Sequence, residues 1–308
     1  MRIVYSPRYA VDIGPHVFPT LKYRMVHARL LETGVVHSAD VIEPAPASWD
    51  ELALVHTTEY LTRMRDGTLT AEEISQLELP WSAEMVDGFR MMVGGTIQAA
   101  TIACASLTAN PPNPKSQIPN PLVACHLGGG LHHAFRNHGE GFCPFNDVAV
   151  AVRVLQSRGI ARVAIVDLDV HHGNGTAFIF ESDDRVFTFS MHQQHNYPMW
   201  KPRGSLDIGL PDGTHDGTFL RALEEALPNV MASRPECVFY LAGADPYEDD
   251  QLGGLRLTKD GLRRRDRMVI DAVRAAGCPL VITLAGGYAR RVEDTVDIHA
   301  ATIEEATR

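Results

Sequence analysis

An α/β architecture, with a mostly parallel central sheet and helices on both faces, follows from three features of the 308-residue sequence. Short apolar runs recur along the chain, and uninterrupted runs of this kind read as strands buried on both sides of a parallel sheet. Stretches of helical periodicity separate them, and that alternation covers the sheet with helices. Several of the runs end in residues that carry chemistry, which suits an open α/β fold, where ligands gather at the carboxyl edge of the strands.

The elements follow one another in this order. RIVYS opens the chain as a strand, and a helix is expected over 21–32 and a longer one over 84–105. LVACH (122–126) is the second strand, followed by a helix over 146–156. VAIVDLD (163–169) and VFTFS (186–190) are the third and fourth strands, then a helix over 217–227. CVFYLAG (237–243), a helix over 259–276 and LVITLAGG (280–287) complete the set. The segment NPPNPKSQIPNP (110–121) breaks the pattern: its five prolines sustain neither helix nor central strand, so it reads as an exposed loop. With 45% hydrophobic residues and 25 glycines the chain is ample for one packed core, and a single domain over 1–308 is expected.

Composition excludes several classes of function. A net charge of -10 argues against sequence-independent nucleic-acid binding, which needs a basic surface. The chain shows no 18-residue apolar stretch, and MRIVYSPRY lacks a signal-peptide core, so a soluble, cytoplasmic protein without a membrane partner is expected. Cys104, Cys125, Cys143, Cys237 and Cys278 form neither a CxxC pair nor an even framework, the pattern of reduced, mostly buried thiols.

The most informative residues are VDLDVHHGNG, 166–175. Side chains alternate along an extended chain, so Asp167, Asp169 and His171 share one side where the strand gives way to a glycine-rich loop. Two acids and an imidazole converging there suit a divalent cation; the alternative is a buried hydrogen-bonding cluster. Oxygen and nitrogen donors in this mix suit Fe2+ or Co2+ among the divalent ions.

Four segments, GGGLHHAFRNHGEGFCPFND, VDLDVHHGNGT, LAGADPYEDDQLGGL and LAGGYA, resemble those of the zinc-dependent histone deacetylases in content, order and spacing. FPTLKYRM, HTTEYL, LPWS and NYP are closest to the small bacterial and class IV members. The resemblance spans most of the chain, from about Pro19 to Ala289, and implies the single-domain arginase-deacetylase fold. It implies a metal-dependent deacylase acting on an acyl-lysine protein or peptide, or on an acylated small amine. The implied metal ligands are Asp169, His171 and Asp245, with zinc as the ion; His172 competes with His171, but the family pattern uses the first of the pair.

The same resemblance assigns roles to the other site residues. His133 is the general base and then the acid toward the leaving amine, oriented by Asn174; His132, held by Asp167, stays electrostatic. Asn174 is the amide variant of an orienting carboxylate and should leave His133 less basic than a carboxylate would. Tyr288 supplies the hydroxyl for the oxyanion, and Ala285 stands where many relatives have glycine. Gly141 and Phe142 form one wall of the substrate tunnel; the other comes from 192–200, with Tyr197 as the principal candidate beside Asn196 and Met199. A structural potassium ion is implied at Asp167, Asp169, His171, Ser190 and Met191. No clear counterpart of the rim aspartate that clamps substrate backbone in class I relatives is visible in the sequence.

Three rivals remain. The first is a small-molecule deacetylase, such as one acting on acetylated polyamines, for which acidic residues at 248–250 leave room. A binding module without turnover is disfavoured by Tyr288 and the complete ligand set. A two-manganese ureohydrolase on the same fold would need bridging aspartates that His171-His172-Gly173-Asn174 does not supply.

Overall fold

Eight strands pair in the order β2-β1-β3-β8-β7-β4-β5-β6 in a computed structural model that describes residues 1–107 and 123–308. They are β1 (Arg2–Val4), β2 (Val41–Ile42), β3 (Val123–His126), β4 (Val163–Asp167), β5 (Val186–Gln193), β6 (Leu206–Leu210), β7 (Cys237–Leu241) and β8 (Leu280–Thr283). The helices are α1 (Lys22–Glu32), α2 (Trp49–Leu52), α3 (Thr58–Asp66), α4 (Ala71–Leu77), α5 (Ala83–Ala103), α6 (Asp147–Ser157), α7 (Asn174–Phe180), α8 (Asp216–Ala232), α9 (Lys259–Ala275) and α10 (Val292–Thr307). Every pairing is parallel, which suits the continuous apolar runs of the central strands. The proline-rich segment 110–121 lies outside the described residues.

The four central strands, β3, β8, β7 and β4, are buried at every residue. Two groups of helices account for that burial: α5 and α6 pack together with α2, α3 and α7 beside them, while α1, α10, α9 and α8 form a second, contiguous layer. α5 begins where the Ser82 hydroxyl accepts from Met85 N, and it is buried over most of its circumference. Its Gly95 lets β3 come close, since a Cβ there would stand 2.3 Å from both His126 Nε2 and the Tyr9 hydroxyl.

A chain of buried polar contacts crosses this core. Asp266 on α9 accepts from Thr302 Oγ1 of α10 at 2.6 Å, from the Tyr240 hydroxyl of β7 and from Arg265 Nε at 2.9 Å. Arg265, fully buried, passes the connection on by donating through Nη1 to Gly243 O at 2.6 Å. The C-terminal helix is thereby wired to the chain just beyond β7.

His56 shows how burial controls a titration. Its Nδ1 donates to Phe135 O at 2.9 Å and its Nε2 accepts from Asn146 N at 3.1 Å, so the ring must be neutral to make both bonds. Burial lowers its pKa from 6.5 to about 4. A histidine with a depressed folded pKa contributes stability above its unfolded pKa and loses it as pH falls toward the folded value. His56→Gln should therefore destabilise the protein at pH 7.5, and the gap to the parent should shrink by about 2 kcal/mol at pH 5. Denaturant titrations at the two pH values measure this; a gap independent of pH refutes it.

Candidate active site

One residue row across the sheet locates the site. His126 of β3, Thr283 of β8, Leu241 of β7 and Asp167 of β4 lie in register with Ser190 of β5, and the first four strands end at that row. The loops after β3, β8, β7 and β4 therefore meet, and they carry His132 and His133, Tyr288, Asp245, and Asp169 with His171.

The loop after β3 turns through Gly129 and Gly130, both in the left-handed region. Asp147, at the start of α6, receives Gly130 N at 3.0 Å, Leu131 N at 2.7 Å and the Thr96 hydroxyl at 2.5 Å. Asn146 caps α6 through Ala149 N at 2.9 Å and donates to Ala134 O at 3.2 Å. Both sides of the double-histidine segment are thus pinned to the first turn of one helix.

Each histidine has its own partner. His132 Nδ1 donates to Asp167 Oδ2 at 2.6 Å, and His133 Nδ1 donates to Asn174 Oδ1 at 2.7 Å. The two Nε2 atoms face each other at 3.1 Å, an arrangement that needs one to donate and the other to accept. Electrostatics says which. Burial opposes charge on His132, but Asp167 and Asp169 overcome it and push its pKa up to about 9. Burial, reinforced by the charges of His132 and His171, holds His133 well below 6.5. His132 is the cation and His133 the neutral ring whose Nε2 accepts. Beyond Asn174 lies Glu140, whose Oε1 accepts from Asn174 Nδ2 at 2.7 Å and from the Tyr197 hydroxyl at 2.9 Å. Burial works against ionisation of Glu140, but its hydrogen bonds, from His138, Asn174, Tyr197 and Gln76, lower its pKa nonetheless.

Asp169, His171 and Asp245 bring ligand atoms within 4.8 Å of one another, all buried, and can hold a metal ion. Asp169 Oδ2 is fixed by Gly286 N at 2.8 Å and Asp245 Oδ1 by Val170 N at 2.9 Å. Gly286 is required, because a Cβ there would meet Asp245 Oδ2 at 2.0 Å. The remaining Asp245 oxygen, Oδ2, is buried without a hydrogen bond. Burial and the neighbouring Asp169 raise the Asp245 pKa to about 7. Two buried carboxylates need a positive partner; with protein atoms alone, His171 Nδ1 fills that need at 3.0 Å from Asp169 Oδ1 and 3.4 Å from Asp245 Oδ2. A divalent cation fits the donor set better, since it would satisfy both acids and the imidazole lone pair together. His172 turns away from this cluster toward Asp207 Oδ1 at 3.3 Å and packs edge-on against His192.

The loop after β8 is held from three sides. Ala285 lies in the left-handed region at φ 53° and its carbonyl accepts from Lys22 Nζ at 2.8 Å; Tyr288 N donates to Asp250 Oδ2 at 2.7 Å. Lys22 is fully buried among the rings of Phe18, Tyr23 and Tyr288, and burial lowers its pKa to about 8 against the pull of Asp245, Asp169 and Asp250. Asp250 also receives Leu252 N at 2.8 Å and Gly253 N at 3.0 Å, which makes it a brace for the loop and not an acid at the rim.

A tunnel of about 210 Å³ leads down to these groups, lined by Glu78, His133, Gly141, Phe142, His171, Asn196, Tyr197, Leu252 and Tyr288. Tyr197 stands edge-on to the His133 ring at 5.0 Å, whereas Met199 is 99% exposed and forms no part of the wall. A small cavity of about 20 Å³ lies beyond, between the histidines and the Gly286 turn.

Residues 16–303 match the histone deacetylase domain family. The chain belongs to the histone deacetylase family. An uncharacterized protein of Picosynechococcus sp. is 42% identical over 301 residues, covering 97% of this chain and 95% of its own. Histone deacetylase 2 of Arabidopsis thaliana is 31% identical over 316 residues, covering 96% of this chain and 77% of its own. Among solved structures, the HDA15 HD domain superposes with a TM-score of 0.78 at 25% identity, covering 99% of this chain and 90% of that one.

Within this histone deacetylase fold, the loops bring together Asp169, His171, Asp245, His132, His133 and Tyr288, with Asp167 and Asn174 bonded to the two histidines, and Gly141, Phe142 and Tyr197 line the tunnel. Asp167 and Ser190 of the expected potassium site pair in register on adjacent strands, with Met191 next along β5. Sequence reasoning passed over Glu78, Glu140, Asp147 and Lys22, and read Asp250 only as one of the acids at 248–250, where the structure makes it a brace for the loop. Asp147 had a local signal, an Asn-Asp pair opening a helix. Glu140 and Lys22 have none, because each acts on residues far away in the chain. Glu78 is the acidic residue at the tunnel mouth, in a left-handed backbone conformation at φ 59°.

Proposed function

We propose that this histone deacetylase family member is a metal-dependent deacylase that removes an acetyl or longer acyl group from a lysine side chain or a related amine. The observation that carries the reading is the cavity of about 210 Å³ lined by His133, His171 and Tyr288, which meets the Asp169-His171-Asp245 cluster at His171. Held by those three residues, Zn2+ (or Fe2+ or Co2+) would polarise the amide carbonyl and make water more acidic. His133 Nε2 would take a proton from the attacking water and return it to the amine nitrogen as the C–N bond breaks. His132, kept cationic by Asp167, lends positive charge beside it. The Tyr288 hydroxyl donates to the oxygen on which negative charge develops. A potassium ion at the β4–β5 row, around Asp167 and Ser190, would steady the loop that carries the metal ligands.

Glu78 gives a specific reason to weigh the second substrate class. A lone carboxylate at the mouth can receive the backbone N–H of a peptide, and equally the second ammonium of an acylated polyamine. Assays of the zinc-loaded protein on acetyl-lysine peptides, longer acyl-lysines and acetylated polyamines separate the two. On whichever substrate turns over, Tyr288→Phe should lower kcat about 100- to 1,000-fold while hydroxamate affinity is kept, because an oxyanion donor acts chiefly in the transition state. Failure of every acyl amide to turn over, or a Tyr288→Phe variant as fast as the parent, overturns the reading.

A further inference from the structure

We infer that Glu140 is a positioning residue for proton transfer: it fixes which way the Asn174 amide faces, and through that amide it selects the tautomer of His133. This rests on the deacylase reading for its consequence in turnover, but the orientation itself is a separate claim. An orienting carboxylate presents only acceptors, so a histidine beside it has one choice. An amide presents an acceptor on one side and a donor on the other, and it can turn over.

Asn174 turned one way offers Oδ1 to His133 Nδ1, which then carries the proton and leaves Nε2 bare toward the site. Turned the other way it offers its NH2, the proton moves to Nε2, and the base is lost. Acting alongside His132, whose Nε2 faces His133 Nε2 at 3.1 Å and favours the same tautomer, Glu140 fixes the amide because a carboxylate can only accept. Its Oε1 lies 2.7 Å from Asn174 Nδ2, so the NH2 group must face it, and Oδ1 must face His133 Nδ1, also at 2.7 Å.

Glu140 is itself well fixed. Its side chain is 15% exposed; Oε1 also receives the Tyr197 hydroxyl at 2.9 Å, and Oε2 receives Gln76 Nε2 at 3.2 Å and His138 Nε2 at 3.4 Å. Its backbone pairs with Cys143, with Glu140 N donating to Cys143 O at 3.2 Å and Cys143 N donating back at 2.9 Å, across the turn that carries Phe142. One carboxylate thus sets the base and braces the tunnel wall at Tyr197.

Ring-nitrogen NMR of His133 in the zinc-loaded protein, together with kinetics, tests the inference. The parent should show a single tautomer with the proton on Nδ1. Glu140→Leu, which leaves no acceptor, should give a mixture of tautomers and lower kcat about 10- to 100-fold, the range for losing an outer partner of a site histidine. Glu140→Gln, which keeps an acceptor, should restore most of the turnover. Tyr197→Phe removes the other contact to the same oxygen and should raise KM while leaving the ring signals unchanged.

Asn174→Asp sets carboxylate against carboxylate and should be slow, and adding Glu140→Gln should speed it up because the Gln amide donates to the new acid. A single Nδ1–H tautomer in Glu140→Leu, or a double variant slower than Asn174→Asp alone, overturns the inference. If the parent hydrolyses no acyl amide, the functional reading fails by itself, and the NMR comparison still decides the orientation.

Discussion

Asp245→Ala is expected to emerge from purification without its metal and without hydrolytic activity, while retaining its secondary structure. The variant removes one of the three proposed ligands, the one carried by the chain beyond β7. The two that remain, Asp169 and His171, sit two residues apart on one loop and cannot enclose a divalent ion on their own. The structural cost is contained: Asp245 Oδ1 accepts one backbone bond, from Val170 N, and its loss costs about 1–3 kcal/mol. Asp169 is a poorer choice for this experiment because its carboxylate also receives Gly286 N and His171 N. Metal analysis beside far-UV circular dichroism decides the matter, and full occupancy in Asp245→Ala would remove it from the ligand set.

His133→Ala is expected to lose most of kcat, about 100- to 10,000-fold for a general base, together with the acidic limb of the pH-rate profile. The sign follows from the site. His133 has its pKa held well below 6.5, so it is unprotonated and ready at neutral pH, and activity falls on acidification as it takes up a proton. His132 has the opposite bias: its pKa is pushed up to about 9, so it is charged throughout the acidic range. His132→Ala should therefore be slower yet keep the acidic limb. A limb that vanishes with His132 and survives loss of His133 would exchange the two roles.

Fold class was legible in the sequence because parallel strands buried on both faces are continuous apolar runs, and six of the eight strands were found that way. β2 and β6 escaped for physical reasons. β2 has two residues, and β6 is an edge strand in which Asp207 and Gly209 alternate with partly buried neighbours, so no run exists to find. α10 was missed because a helix beginning VEDTVDIH mixes acids with a buried stripe, and nothing before it announces a cap. In the site, residues packed into short motifs were legible, Asp169 and His171 above all. Glu78 and Glu140 were not: each contributes one carboxylate whose value depends on a side chain from another segment, which local spacing does not encode.

Every motif residue falls before Arg290, yet a reading frame interrupted soon after that point would not yield a lesser version of this enzyme. It would lack α10, and with it the Thr302 hydroxyl that satisfies one oxygen of buried Asp266. Asp266 anchors Arg265, and Arg265 grips the carbonyl of Gly243, two residues ahead of Asp245. Losing the last helix thus opens the face of α9 to water and slackens the strand end that delivers a ligand. For gene models and trimmed expression versions alike, a full set of motifs is a poor guide to a complete catalytic unit; the nineteen unremarkable residues from 290 to 308 belong to it as much as the histidines do.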